Sequence, residues 1–356
     1  MGGNRAGRAD AVIGFCLAAG AGTRLMPLTR VTPKPLLAPA GRPLVDLAVE
    51  ALLAAGATRV VVNAHHGADQ LAAHLGGRPE VEVVVEPVLL GTGGGLVNAA
   101  KLGLLGDGDD PVLVTAADHV VDPADLAALG SFLGRSGAPM AAGLVPAAGD
   151  PFGLRLEGSP TGPDRPDRAG QDRSGDDGGR VVRDPDGPWD SAGVYALRVG
   201  VLLDLEEGPA TLVGRVLGPL LDRGELAGLP FRGATADAGT LARLLDVSAG
   251  LLSGRWPYAL PPGRLRRGLG TGPVFVAEGA QVDPAAGLAG PVVLDAGARV
   301  EAGAVVTRSV VGPGAVVGAG ARVVGSFLGP GARVPPGATV TAALVPRAEH
   351  GADPAR

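Results

Sequence analysis

The sequence predicts two folded parts. A doubly wound α/β sheet with a parallel core covers residues 11–250, and a parallel β-helix covers residues 273–346. Three observations predict them. Short apolar runs alternate with helical patterns through the first part. A glycine-rich loop, Leu17-Ala18-Ala19-Gly20-Ala21-Gly22-Thr23-Arg24-Leu25, follows the first of those runs. Beyond residue 272 the apolar residues recur every six positions, a period of neither a strand nor a helix. At 356 residues the chain is long enough for both parts.

Ala11 to Leu17 is apolar throughout, as a strand buried on both faces must be. Pro43 opens a helical pattern that Gly56 closes, the expected asymmetry of helix ends. Thr58–Asn63 reads as a second strand, Ala68–Leu75 as a helix and Val81–Val85 as a third strand, which Glu86-Pro87 ends. Gly91-Thr92-Gly93-Gly94-Gly95 starts another helix, and Pro111–Ala116 is a fourth strand running into Ala117-Asp118-His119. In such sheets ligands sit beyond the carboxyl ends of the strands. Gly20, Glu86, Gly91 and Asp118 all fall at such ends. Gly158–Gly179, crowded with Gly, Pro, Asp and Arg, reads as a flexible insertion. A strand is expected over Ser191–Leu197, helical turns near Val199–Leu205 and Thr211–Leu221, and a closing helix to about Ala249. Residues 251–272, rich in proline and arginine, read as a linker.

After that linker, Val276, Val282, Leu288, Leu294, Val300 and Val306 are spaced by six. The series resumes one residue short at Val311, Val317 and Val323, and again at Leu328, Val334 and Val340. Glycine or proline punctuates each interval. Short strands that turn a corner and stack on the next coil produce this pattern.

Composition bounds the function. A net charge of −5 without a basic run argues against nucleic acid as a partner. Cys16 is the one cysteine, so no internal disulfide forms, which suits a reducing cytoplasm. Arg5 and Arg8 precede an apolar run, but Asp10 interrupts it and cleavage near Ala19 would destroy the glycine loop, so a secretion signal is not expected. No run is long and apolar enough to span a membrane.

The loop carries the chemistry. A strand running into small residues and glycines lets backbone amides wrap a phosphate, and Arg24 and Lys34 add positive charge. Lys34 and Lys101 are the two lysines among 31 basic residues, and position 34 keeps the compact ammonium. Asp118 and Asp237 are candidate magnesium ligands, because Mg2+ takes one or two carboxylates and fills its octahedron with water and substrate phosphates. Each aspartate equally fits a helix N-cap. Leu25 stands where G-x-G-x-x-G needs its third glycine, and G-x-x-x-x-G-K-[ST] is absent. His65 and His66 are adjacent, so in regular structure they do not share a face as a metal pair would.

Leu17 to Pro35 resembles the signature of the sugar-1-phosphate nucleotidyltransferases, an L-A-x-G-x-G-T-R-L loop followed by proline-lysine. The resemblance extends through Gly41-Arg42-Pro43-Leu44, Glu86-Pro87, Leu90-Gly91-Thr92-Gly93, Asp118, Phe152-Gly153, Ala192-Gly193-Val194-Tyr195 and Asp237-Ala238-Gly239-Thr240. It covers about residues 11 to 250, and a hexapeptide tail occurs in the same family. It is nearest in look to the mannose-1-phosphate guanylyltransferases, while Thr92–Gly95 also resembles the muramate-type uridylyltransferases.

The resemblance implies a Rossmann-like mixed sheet, a left-handed β-helix, Mg2+ as cofactor, and an NTP and a sugar 1-phosphate as substrates. It implies nucleotide contacts at Leu17, Ala19, Gly20, Gly22, Thr23, Arg24, Glu86, Gly91 and Thr92, and sugar-phosphate contacts at Gly153, Arg183 and Ser191. Arg24, Lys34 and Asp118 would be catalytic, with Asp118 and Asp237 on the metal. Where the family carries Glu-Lys before proline, this chain has Arg183-Asp184-Pro185, so Arg183 would supply that positive charge. Ser191 replaces the usual asparagine, and Ala117 a common glycine. A UTP- or dTTP-using enzyme, or a weakly catalytic regulatory homologue binding NDP-sugar, are the alternatives. An acyltransferase role for the β-helix lacks its base, since Leu251–Glu349 contains no histidine. A homo-oligomer built through the β-helix is expected, because its open end needs covering.

Overall fold

The computed structural model describes residues 12–147, 153–157, 178–267 and 272–347. The chain forms two compact units. The first comprises the described residues up to Gly20, Ala48–Ala117 and Val121–Thr235. The second comprises Ala21–Leu47, Asp118–Val120 and the described residues from Ala236 onward.

The first four strands are β1 (Ile13–Leu17), β2 (Arg59–Ala64), β3 (Val81–Val85) and β4 (Pro111–Ala116). After the short β5 (His119–Val121) come β6 (Met140–Pro146), β7 (Leu154–Leu156), β8 (Gly179–Arg183), β9 (Trp189–Arg198) and β10 (Leu226–Pro230). The first unit is built on a nine-stranded sheet in the order β3-β2-β1-β4-β9-β6-β10-β8-β7. Strands β3, β2, β1 and β4 are parallel, and β9 runs antiparallel between β4 and β6. Strand order reverses beside β1, because β2 and β3 build outward on one side and β4 pairs on the other. The crevice at such a reversal opens at the carboxyl ends of the strands, here Leu17 and Ala116. Phe15, Val61, Val112 and Val114 are buried in the core, which explains the unbroken apolar runs.

The alternation of elements is as the sequence predicts, with boundaries shifted by a residue or two. Helices Leu44–Ala54, Ala68–Leu75 and Gly91–Lys101 and strands β2 to β4 stand where expected. The helix Pro123–Ser136 and strands β6 and β10 were not expected. The helix had a readable start, since Asp122 caps it by accepting the Ala124 N–H at 2.9 Å and Pro123 stands in its first turn. The expected insertion falls outside the described residues from 158 to 177.

In the second unit the six-residue period is a parallel β-helix of three sheets. Val276, Leu294, Val311, Leu328 and Val345 are in register on one sheet. Val282, Val300, Val317 and Val334 stack on the second, and Leu288, Val306, Val323 and Val340 on the third. These residues meet inside the coil, so each sixth position must be apolar. The one-residue shortfalls have a structural cause. Arg308, Gly325 and Ala342 turn successive coils with φ of 46°, 56° and 49°. A left-handed corner closes the turn with one residue fewer, at a steric cost for the two residues that carry a Cβ. Beside it Ser309 Oγ accepts the Ser326 N–H at 3.0 Å, and Ser326 Oγ accepts the Ala343 N–H at 3.1 Å.

Two boundaries differ from the sequence reading. The stretch 251–272 is not a plain linker. Trp256 is buried, and β12 (Gly263–Arg267) pairs antiparallel with β13 (Pro273–Ala277) at the start of the β-helix. The stretch 11–250 is shared between the two units. The segment 21–47 packs on the β-helix, where Leu28 meets Gly329 and Gly41 meets Asp295 and Pro261. A Cβ on Gly41 would lie 2.6 Å from Asp295 Oδ1, and Arg42 Nη1 donates to the Ala259 carbonyl at 2.8 Å. The helix Leu241–Leu252 and the β-helix corner Arg308–Val310 line a shared cleft of about 700 Å³.

Asp295 is 3% exposed, and its Oδ2 has no hydrogen-bond partner among the described residues. Burial pushes its carboxyl up to about 7. An unfolded aspartate ionises near pH ~3.9, so the folded state holds a proton that the unfolded chain has released between there and about 7. Stability therefore falls as pH rises through that window, by up to about 1.4 kcal/mol per pH unit, and is flat above it. Asp295→Asn is expected to raise the thermal midpoint by several degrees at pH 8 and to change it little at pH 4. Equal shifts at both pH values would show that the charge of Asp295 is not what limits stability there.

Candidate active site

In the first unit the site residues cluster at the carboxyl edge of the parallel strands. Leu17 ends β1, and Ala117 N–H donates to its carbonyl at 2.9 Å. Ala18 and Ala19 are buried, while Gly20 is exposed and a Cβ there would meet nothing within 4 Å. The loop is anchored by a residue that the motif reading missed. Ala18 N–H donates to Asn63 Oδ1 at 2.8 Å, and Asn63 Nδ2 donates to Glu86 Oε1 at 2.7 Å. Glu86 Oε2 accepts the Leu90 N–H at 3.2 Å. Glu86 is 1% exposed, and these bonds satisfy its buried carboxylate. A Cβ on Gly95 would lie 2.4 Å from Glu86 Oε1, which is why the glycine run extends this far. The signal for Asn63 was a polar residue ending the strand after Val60-Val61-Val62. His65 follows β2 with Nδ1 2.9 Å from the Glu86 carbonyl oxygen, so it too is engaged in holding this loop.

Gly91 and Thr92 are engaged inside the unit. Thr92 Oγ1 accepts the Leu212 N–H at 2.8 Å, and Gly93 N–H donates to the Ala210 carbonyl at 2.9 Å. Cβ atoms on Gly91 and Gly93 would lie 2.7 and 2.5 Å from the carbonyls of Ala210 and Thr211. The glycines serve close approach of that segment to the helix start.

The residues read as sugar-phosphate contacts lie on β8, β9 and the turn before β7. Gly153 has a φ of 63°, and its carbonyl accepts the Asp184 N–H at 2.7 Å. Arg183 is exposed and pairs with Asp222 at 3.3 Å, while Asp184 pairs with Arg155 at 2.9 Å. Ser191 Oγ donates to the Tyr195 hydroxyl at 3.1 Å and accepts the Gly193 N–H at 3.2 Å. Burial raises the Tyr195 phenol, so it stays neutral.

The second unit brings five charged residues together. Gly22 has a φ of 63° and its Cβ position lies 2.9 Å from both Lys34 and Thr29, so only glycine fits this turn. Thr23 and Arg24 are exposed on the one-turn helix Thr23–Leu25. Lys34 Nζ pairs with Asp118 Oδ2, across 84 residues of sequence. Ala238 N–H donates to the Asp118 carbonyl at 2.8 Å, which sets Asp118 beside β11 (Thr235–Asp237) and its last residue, Asp237. Asp237 Oδ2 pairs with Arg243 Nη1, and Oδ1 accepts the Gly239 N–H at 2.9 Å. A Cβ on Gly239 would lie 2.7 Å from Asp237 Oδ1 and 2.9 Å from Arg24 Nη2, so glycine admits both groups.

Neither aspartate caps a helix. The helix Leu241–Leu252 is capped by Thr240 and the helix Pro123–Ser136 by Asp122, which removes the N-cap alternative. Burial pushes the Asp118 carboxyl up, but the charges of His119 and Lys34 and the Lys34 hydrogen bond outweigh it and hold it below the usual range. Asp118 is thus an anion at neutral pH. His119 Nδ1 is buried without a hydrogen-bond partner among the described residues. Two carboxylates on adjacent backbone, with no cluster of three or more acidic, histidine or cysteine ligands among the described residues, suit a cation that takes the rest of its shell from outside the protein.

Removing Asn63 tests the loop anchor. Asn63→Ala leaves the buried Glu86 carboxylate short of a donor, at a cost of about 2–3 kcal/mol. Urea denaturation is expected to show that loss. A variant with unchanged stability would show that the Ala18–Asn63–Glu86 chain does not hold the loop.

Residues 13–147 match the nucleotidyl transferase family. The chain is 33% identical to a mannose-1-phosphate guanylyltransferase of Mycobacterium tuberculosis over 331 residues, 84% of this chain and 83% of that protein. It is 43% identical to an N-acetylmuramate alpha-1-phosphate uridylyltransferase of Caulobacter vibrioides over 115 residues, 30% of this chain and 46% of that protein. It is 40% identical to a mannose-1-phosphate guanyltransferase of Aspergillus fumigatus over 111 residues, 30% of each chain. The chain thus spans less than half of the last two relatives and most of the first. With its signature loop, its α/β sheet and its β-helix, the chain belongs to the sugar-1-phosphate nucleotidyltransferase family.

Proposed function

We propose that the chain transfers a nucleotidyl group from an NTP to a sugar 1-phosphate, releasing pyrophosphate, and that the pair is GTP and mannose 1-phosphate. The observation that carries the reaction class is the cluster of Lys34, Asp118, Arg24 and Asp237 around the Ala238–Asp118 backbone hydrogen bond. The choice of substrates rests on the mycobacterial relative, which is matched over 83% of its length.

Asp118 and Asp237 would hold Mg2+, which supplies charge neutralisation on the triphosphate when bound. The glycine loop offers backbone amides to the phosphates, and Gly22 keeps its turn open to them. Arg24 orients the leaving pyrophosphate and Lys34 neutralises the α-phosphate as the sugar phosphate oxygen attacks in line. The attacking phosphate is already ionised, so no side chain has to remove a proton. Cys16 is buried in β1, which fits a cytoplasmic enzyme, and the β-helix would support self-association. Light scattering on a chain ending near Pro261 tests that last role, which an unchanged oligomeric state would remove.

A second reading is favoured by the ion pairs of Arg183 with Asp222 and of Asp184 with Arg155, which engage the stretch where the family carries Glu-Lys. A regulatory homologue would bind NDP-sugar with little turnover. Calorimetry with NDP-sugars, with and without Mg2+, separates the two readings, because tight binding without turnover of any sugar phosphate favours the second.

Asp118→Ala and Asp237→Ala are each expected to lower pyrophosphate release by a factor of about 10³ or more. Full activity in both would sink the assignment. A matrix of NTPs against sugar 1-phosphates is expected to give its highest kcat/KM for GTP with mannose 1-phosphate. A maximum for UTP or dTTP would move the chain to a uridylyl- or thymidylyltransferase.

A further inference from the structure

Asp118 and Asp237 are each already paired with a basic side chain. Lys34 occupies Asp118 Oδ2, and Arg243 occupies Asp237 Oδ2. Arg243 lies in the first turn of the helix Leu241–Leu252, three residues after its cap Thr240, and belongs to none of the sequence motifs. Its side chain is 58% exposed, while that of Asp237 is 26% exposed. The Ala238–Asp118 hydrogen bond fixes the two aspartates on adjacent backbone, where two uncompensated carboxylates would repel each other. One basic side chain for each carboxylate removes that repulsion in the protein alone. A carboxylate oxygen engaged by a guanidinium is not free for a divalent cation.

We propose that Arg243 is a positioning residue that holds Asp237 in the nucleotide-free enzyme and transfers to phosphate oxygens of the triphosphate when the metal and nucleotide bind. The inference rests on the reading of Asp118 and Asp237 as the metal pair. Three features carry it. The exposed Arg243 side chain has solvent to move through. Its fork of donors suits phosphate oxygens as well as carboxylate. Arg24 already lies against Gly239, next to Asp237, so a second guanidinium leaving Asp237 stays close to the first. The consequence is coupling. Metal alone competes with Arg243 and binds weakly, whereas metal with a polyphosphate gives Arg243 a new partner and binds tightly. By linkage, the polyphosphate gains as much from the metal as the metal gains from it.

The test uses Mn2+ and pyrophosphate on the full chain, with binding read by electron paramagnetic resonance and calorimetry and no turnover required. Arg243→Gln is expected to bind Mn2+ alone about two- to fivefold more tightly than the wild type, the range open to a partly exposed ion pair. The same variant is expected to bind pyrophosphate in the presence of Mn2+ more weakly by at least the same factor. Arg243→Lys, which keeps the charge, is expected to restore the weak binding of Mn2+ alone. Asp237→Ala separates the inference from the reading beneath it. If Asp237→Ala abolishes Mn2+ binding but Arg243→Gln leaves it unchanged, the metal pair stands and the role of Arg243 is overturned. If Asp237→Ala leaves Mn2+ binding intact, the metal pair itself falls, and the inference with it.

Discussion

A carboxylate taken out of water has to be satisfied by the protein, and at Glu86 that requirement organises the edge of the sheet. One oxygen needs the amide of Asn63, which fixes the end of β2 beside the end of β3. The other needs the backbone of Leu90, which fixes the start of the helix Gly91–Lys101. Asn63 then has its carbonyl oxygen left to hold Ala18, the first residue of the glycine loop. The chain of bonds works only if nothing bulky intrudes, so position 95 is glycine. The loop is thus held at Ala18, ahead of its glycines.

The second unit meets a comparable requirement by charge. Asp118 and Asp237 come from segments far apart in the chain, and a short two-stranded pairing brings their backbones together. Lys34 and Arg243 compensate them, and the charges of His119 and Lys34 keep Asp118 ionised despite its burial. Gly239 is the residue that makes the crowding possible, since its missing Cβ leaves room for both Asp237 and Arg24. Glycine in this chain serves two purposes that look alike in sequence. At Gly22 it supplies a left-handed backbone, and at Gly93, Gly95 and Gly239 it supplies space.

The β-helix shows how far a period reaches. An inward position every six residues follows from a strand, a corner and the next strand, and every residue of the series falls on a strand of the coil. The shortfalls were visible as counts, but their cause was not. A left-handed corner at Arg308 or Ala342 is a backbone state that few side chains prefer, and nothing in the sequence marks it. The attachment of the segment 21–47 to the coil was equally silent. It depends on Leu28 meeting Gly329 and on Gly41 meeting Asp295, residues that no local pattern connects.

The sequence by itself determined the order of strands and helices, the change of period after residue 272, and the signature that contains Arg24, Lys34, Asp118 and Asp237. Each of these is a local regularity, written in side-chain spacing by the geometry of the element or in a short motif by the ligand it must wrap. The tertiary structure alone decided which polar groups are engaged. It engaged Glu86 and Thr92 in hydrogen bonds within the protein, added Asn63 and Arg243, and packed the segment 21–47 on the β-helix. The physical reason is the same in each case. A hydrogen bond or an ion pair is set by which donor reaches which acceptor after the chain has folded, and spacing along the sequence carries no record of that approach.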